Sequence, residues 1–375
     1  MGLDAIKRKR VGQVGSGAYT IYLPKKWIDD WMPQQLEERE IDLHQIRDSL
    51  LLVPVHRDRR FERVVPPERR LVEATLVSAY LQGYNNVRLT PIDGETFGAA
   101  TVSAARDLLR HLDERLLASG DAQGIGFDLR PELPPPAASG QDLLTFMAVK
   151  VTEVLRLAAE AVDRYATDPD GALYALQLLH TTQQEDVSRL VHQATRMVAN
   201  LELPLGSVTD FQFLDLTASN LYRMGDDAAA VGRIILESYG LTPDHLAYPR
   251  QHLLDQIGEL EPPRPIVRAF DRLHAKAIER IADLTADLLK GLQRNDLGAV
   301  NAALEAAQEA QEDHARRTFA TIMEHWGREA PEAASRSGFL AYQLGTPLAA
   351  LFADLRMMGR QGIELTAAAE GPLGQ

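Results

Sequence analysis

The residues whose types and spacing best suit chemistry are cationic and lie near the amino terminus. Lys7, Arg8, Lys9 and Arg10 precede one alternating run, and Lys25 and Lys26 follow the next. Across residues 1–28 only Asp4 opposes them, although the whole chain carries a net charge of −13. A concentrated basic patch holds nucleic acid by releasing counterions from its phosphates, even on an acidic protein. Arg8 and Arg10 are two positions apart and so share one face of a strand. Their guanidinium groups suit base edges, while Lys25 and Lys26 at a strand end suit phosphates, and Lys9 and Ser16 complete the candidate set. The plainer alternative is a solvated basic tail.

Other chemistries find less support. The chain has no cysteine, which removes disulfides, thiolate metal sites, iron–sulfur clusters and cysteine nucleophiles. Gly12-x-x-Gly15-x-Gly17 lacks the Gly-Lys-Ser/Thr ending of a P-loop and precedes a strand, so it reads as a turn. His180 and His192 lie twelve positions apart, His314 and His325 eleven, and neither spacing brings two imidazoles onto one helical turn. They read as surface or interface residues. No Ser/His/Asp order stands out, and a non-enzymatic protein is expected. With 45% hydrophobic and 25% charged residues the chain is ordinary globular material, long enough at 375 residues for two or three domains. No apolar run reaches the ~18–20 residues of a membrane span, and the start is too polar for a signal peptide. A cytoplasmic location without membrane insertion is expected.

The elements that must position these residues are legible in outline. Arg10–Val14 and Ala18–Leu23 read as strands around a Gly15–Gly17 turn, closed by Pro24. Glu40–Ile46 and Ser49–Val55 read as a second pair around Arg47-Asp48. Such short hairpins are marginal alone, and pairing with a second copy is the economical remedy. Residues 57–130 read as a small α/β segment, with helices over 67–82 and 97–118 and strands over 86–90 and 125–129. Pro131–Gly140 reads as a linker. From Gln141 onward the pattern is helical, and Asp168-Pro169, Thr242-Pro243 and Thr346-Pro347 each read as a helix start.

A repeat runs through the helical part. Gly171–Ala175 and Gln184-Glu-Asp186 with Arg189 recur 127 residues later at Gly298–Ala302 and Gln311-Glu-Asp313 with Arg316. Leu221-Tyr-Arg-Met-Gly225 recurs 134 residues later at Leu355-Arg-Met-Met-Gly359. Their common order favours a duplicated three-helix unit, packed about a pseudo-two-fold relation.

These residues resemble two known families. Lys9-Arg10-Val11, Gly15-Ser16-Gly17-Ala18-Tyr19-Thr20 and Leu23-Pro24-Lys25-Lys26-Trp27 are similar to the AbrB/SpoVT swapped-hairpin DNA-binding domain. Leu221–Asp226, its partner at Leu355–Gly359 and the helices before them resemble the PhoU phosphate-uptake regulators. The resemblance implies a mainly α fold: a swapped-hairpin β domain over 1–56, a connecting α/β segment over 57–130, and three-helix bundles over 141–245 and 262–370. It implies a homodimer that binds DNA through its first domain. It also implies that the bundles engage a phosphate-transporter ATPase or a phosphate-sensing signalling protein, lowering transport or signalling when phosphate is plentiful. The alternative is a helical adaptor whose β module only dimerises it.

PhoU bundles typically carry Glu/Asp-x-x-x-Asp pairs that hold cations such as iron or zinc. Here the corresponding positions read Tyr222-x-x-x-Asp226 and Arg356-x-x-x-Arg360, with Gln184, Ser188, Gln311 and Ala315 on the preceding helices. Arginines oppose a bound cation, so no cofactor is expected, and Asp226 and Asp227 remain as the remnant of a divalent or iron site.

Overall fold

The computed structural model describes residues 12–14, 18–20, 41–46, 49–54, 60–130, 140–165, 167–200, 208–257, 265–294, 296–326 and 331–369. It divides into two compact units, Met1–Asp58 and Arg59–Gln375. The chain is mainly helical, with one four-stranded sheet in the second unit.

In the first unit β1 (Gly12–Val14) pairs antiparallel with β2 (Ala18–Thr20), placing Gly12 opposite Thr20. β3 (Ile41–Ile46) pairs antiparallel with β4 (Ser49–Pro54), Ile46 opposite Ser49 across the turn expected at Arg47-Asp48. Among the described residues these two ribbons share no ladder.

The second unit opens with β5 (Arg60–Val65), α1 (Arg69–Leu81), β6 (Asn86–Pro91), α2 (Ala99–Leu112), β7 (Leu116–Gly120) and β8 (Ile125–Leu129). The sheet order is β5-β6-β8-β7, with β5 parallel to β6 and the other pairs antiparallel. Gly83 ends α1 as expected, since its φ of 83° is open to glycine at little steric cost. The second helix is shorter than its periodicity suggests. Leu116 continues the apolar stripe of Leu109 and Leu112, but Asp113 stops the helix. Its buried carboxylate binds Arg115 at 2.7 Å and accepts the Tyr80 hydroxyl at 2.8 Å. Burial raises the Asp113 pKa, yet the bonds and charge of Arg115 outweigh it and leave that carboxyl below its ordinary value.

Long helices follow: α3 (Gly140–Arg164), α4 (Pro169–Thr181), a π turn (Thr182–Val187), α5 (Ser188–Asn200) and α6 (Val208–Ser238). After a 3₁₀ turn (Pro243–Ala247) and α7 (Arg250–Ile257) come α8 (Pro265–Gln293), α9 (Leu297–Trp326) and α10 (Pro331–Ala369). The Asp168 side chain caps α4 by accepting from Gly171 N at 3.0 Å, and Asp296 caps α9 by accepting from Ala299 N at 3.0 Å. The expected start at Thr346-Pro347 is absent; Pro347 lies inside α10. A proline there forfeits one backbone bond, which burial of Leu344, Leu348 and Leu351 offsets.

α3 packs on α4, α6 and α8, α8 on α9, and α10 on both α6 and α9. Two docking contacts fix the α/β layer to these helices. The Arg196 guanidinium, 1% exposed, donates to the carbonyls of Tyr80 at 2.9 Å and Tyr84 at 3.2 Å and to Asn85 Oδ1 at 2.7 Å. It also lies over the Tyr80 ring, 4.8 Å from its centroid. His111 approaches Glu185 of the π turn at 3.8 Å.

Burial repeats with the sequence. Leu143, Met147, Val151, Val154, Leu155, Ala158 and Val162 of α3 are buried, and so are the α8 residues 127 positions on, Phe270, His274, Ile278, Ile281, Ala282, Thr285 and Leu289. At an offset of 134, Leu214, Asn220, Leu221 and Met224 of α6 match buried Leu348, Asp354, Leu355 and Met358 of α10. The caps Asp168 and Asp296 stand 128 apart, one more than the matched residues beyond the π turn.

Candidate functional site

The residues expected to contact DNA, Arg8, Lys9, Arg10, Ser16, Lys25 and Lys26, lie outside the described residues. The site that can be built from side chains is on α6. Its consecutive acids diverge because neighbouring helical positions point about 100° apart.

Asp226 faces the π turn and accepts from Gln183 Nε2 at 3.0 Å. Gln183 reaches it by lying against Gly225, where any Cβ would collide with the Gln183 amide. The cleft beside them, of about 560 Å³, is lined by His180, Gln184, Ser188, Tyr222, Asp226 and Arg233 among others. All four first-set positions of the expected carboxylate motif, Gln184, Ser188, Tyr222 and Asp226, therefore line one cavity, with a single carboxylate among them. Burial and the charge of Asp226 raise the Tyr222 pKa, and burial lowers that of His180. The cleft can thus offer neutral donors, the Arg233 guanidinium and the carboxyl group of Asp226 to a polar ligand. Among the described residues no group of three or more His, Asp or Glu converges to hold a metal.

Asp227 turns instead to the seam with α10, where it faces Asp354. Burial and then the Asp354 charge push Asp227 up to about 6, with Arg223 opposing. Burial also raises Asp354, again against Arg223, which lies 3.6 Å away. The two carboxyls lie close enough for a proton on one to bridge to the other. Asn220 donates to Gln361 Oε1 at 2.7 Å, and Arg223 Nη2 to Met357 Sδ at 3.7 Å. Exchanging each α6 residue of these pairs for its α10 equivalent at 134 turns Asn220–Gln361 into Asp354–Asp227 and returns Arg223–Met357 to itself. The structure thus turns Asp226 toward the π turn and Asp227 toward α10.

Comparison of the chain with known family models and with curated proteins returns no match.

Sequence spacing missed two buried polar features on α8. Asp271 is 3% exposed, and burial pushes its carboxyl up to about 8. The Tyr165 hydroxyl faces it and moderates the shift, without forming a hydrogen bond of normal geometry. His274 is 1% exposed, and its ring lies 5.1 Å from that of His314 on α9. Forty positions separate these histidines, so no local motif joins them. The repeat could have flagged them, because the equivalent α3 positions hold Leu144 and Met147.

Proposed function

We propose that the chain is a non-enzymatic, cytoplasmic regulator of phosphate uptake, built from two PhoU-like three-helix bundles behind a DNA-binding swapped-hairpin domain. The observation that carries this reading is the reciprocal seam between α6 and α10. Residue pairs there interchange under the 134-residue offset, as they must when two copies of one unit face each other across a two-fold axis. The same holds between first helices, where Arg156 meets Asp283 at 3.3 Å, 127 positions away. Duplicated bundles of this kind are what the Met-Gly signature on the third helices implies by its resemblance.

In this reading the bundles engage a phosphate-transporter ATPase or a phosphate-sensing signalling protein. Two ribbons as short as β1–β2 and β3–β4 need further strands, which supports a homodimer formed by exchange of hairpins. The pairing would set two copies of Arg8, Arg10, Lys25 and Lys26 on one side, matching a palindromic DNA site. Phosphate uptake by cells in phosphate-rich medium tests the proposal. Uptake should stay high in cells lacking the chain and fall when it is restored; equal uptake overturns it.

One observation favours the adaptor reading, in which the ribbons serve dimerisation alone: only Asp226 remains of the first-set acidic positions. Sedimentation of a chain beginning at Arg59 separates the two. Loss of the dimer without loss of partner binding, in a protein whose full chain has no DNA affinity, supports the adaptor.

A further inference from the structure

Buried polar atoms without a hydrogen-bond partner concentrate at one place in the second helical set. They include Nδ1 and Nε2 of His274, Nδ1 of His314 and Oγ1 of Thr318. His274 projects from α8, and His314 and Thr318 lie one turn apart on α9, on one face. The equivalent positions of the first set, 127 residues earlier, are Met147, Val187 and Val191. Met147 and Val187 are fully buried, so the same packing niche closes with hydrocarbon in one copy and with imidazole in the other. Leaving unpaired ring nitrogens in such a niche is costly, and native proteins seldom do so without a ligand, water or catalytic use.

Neutral imidazole is the usual ligand of zinc, nickel and copper ions. The separation suits a shared ion. With metal–nitrogen bonds of about 2.0–2.1 Å, two imidazoles at a tetrahedral angle place their centroids roughly 5 Å apart. The observed 5.1 Å meets that condition. An approach exists as well, because His314 also lines an open groove of about 360 Å³ with Lys276, Arg280, Glu309, Asp313 and Arg317. Glu309 and Asp313 attract a cation to its mouth, Asp313 being paired with Arg317 at 2.7 Å. Lys276, Arg280 and Arg317 oppose it.

We propose that the second helical set binds one divalent d-block cation between α8 and α9 through the imidazoles of His274 and His314, with solvent held at Thr318 completing its shell. The site is distinct from the carboxylate positions on the second and third helices. Its ligands stand on their own geometry, and only the choice of control residues rests on the duplication proposed above.

The test is titration of the intact, metal-stripped chain with Zn(II), and with Co(II) to read the ligand-field absorption of bound imidazole. The proposal expects one saturable ion per chain. It expects at least a tenfold weaker affinity, and loss of the visible Co(II) band, in His314→Gln and in the double variant H274M/H314V. His252→Ala should change neither. Failure of the double variant to fold would count against the repeat equivalence alone, and His314→Gln, altering the half-buried ring, still decides the site. Absence of one-to-one binding in the native chain, or unchanged binding in His314→Gln, overturns the proposal.

Discussion

Arg223 donates to the Met357 sulfur across the seam between the third helices at 3.7 Å, and the two residues are each other's equivalents in the 134-residue repeat. Pairs that interchange under the offset, with a residue meeting its own equivalent between them, are what the two-fold axis proposed above requires. Arg223 and Met357 mark that axis, and the pairs flanking it differ in chemistry: an amide pair on one side, a carboxyl pair on the other.

The carboxyl pair gives the seam a pH dependence. Burial and Asp354 raise Asp227 from 3.8 to about 6. A carboxyl raised on folding is held protonated by the folded state, so its contribution is full below about pH 4 and lost as pH rises through 6. Asp227→Asn should abolish that loss. After allowance for the solvent-exposed part of the site, the gain at pH 7.5 is on the order of 1 kcal/mol, read by urea denaturation at pH 4.5 and 7.5.

Asp271 extends the same behaviour to higher pH. Its folded value of about 8 predicts a decline in stability between pH 4 and 8, with a slope approaching about 1.4 kcal/mol per pH unit. Asp271→Asn should flatten that profile. A native chain equally stable at pH 5 and 8 contradicts the assignment.

Arg196→Met removes the charge that joins the α/β layer to α5 and leaves the buried carbonyls of Tyr80 and Tyr84 without it. Destabilisation of about 2–4 kcal/mol is expected, together with faster amide exchange in α1. Unchanged exchange in α1 would mean that the docking does not depend on the guanidinium.

The repeat glycines separate close approach from mere helix propensity. A Cβ on Gly225 collides with Gln183, and one on Gly359 comes within 2.5 Å of Leu304, whereas Gly345 has open space. Gly225→Ala and Gly359→Ala should each cost about 1–3 kcal/mol. Gly345→Ala should be neutral or stabilising by up to about 1 kcal/mol.

For the basic arm, duplex DNA titrated at several salt concentrations is the measurement. Alanine at Arg8, Arg10, Lys25 and Lys26 should lower both affinity and the slope of log K against log salt. An unchanged slope removes the arm from the interface.

Local rules carried the α/β segment and the helix caps, because Gly83, Asp168 and the alternation of Asn86–Pro91 act within a few residues. They failed where distant partners decide. Asp113 stops α2 for the sake of Arg115 and Tyr80, and β5 and β7 form only by pairing into the sheet. Pro347 fails to start a helix because buried leucines on both sides hold α10 together. Repeat offsets matched Gly225 with Gly359, and both mark close approach, the first to Gln183 and the second to Leu304. Asp226 and Asp227 looked like one site in sequence and face different helices in space. The His274–His314 pair was invisible to spacing and becomes visible only when α8 and α9 are compared with α3 and the π turn.

The chain contains no cysteine, so paired thiols can be placed at will. A short bis-thiol cross-linker applied to N220C/Q361C and, separately, to D227C/D354C tests the two-fold seam most directly. Both pairs should join within one chain, at similar rates, without loss of fold. Reaction of one pair and not its mirror, or joining only between chains, would contradict the duplicated architecture on which the functional proposal stands.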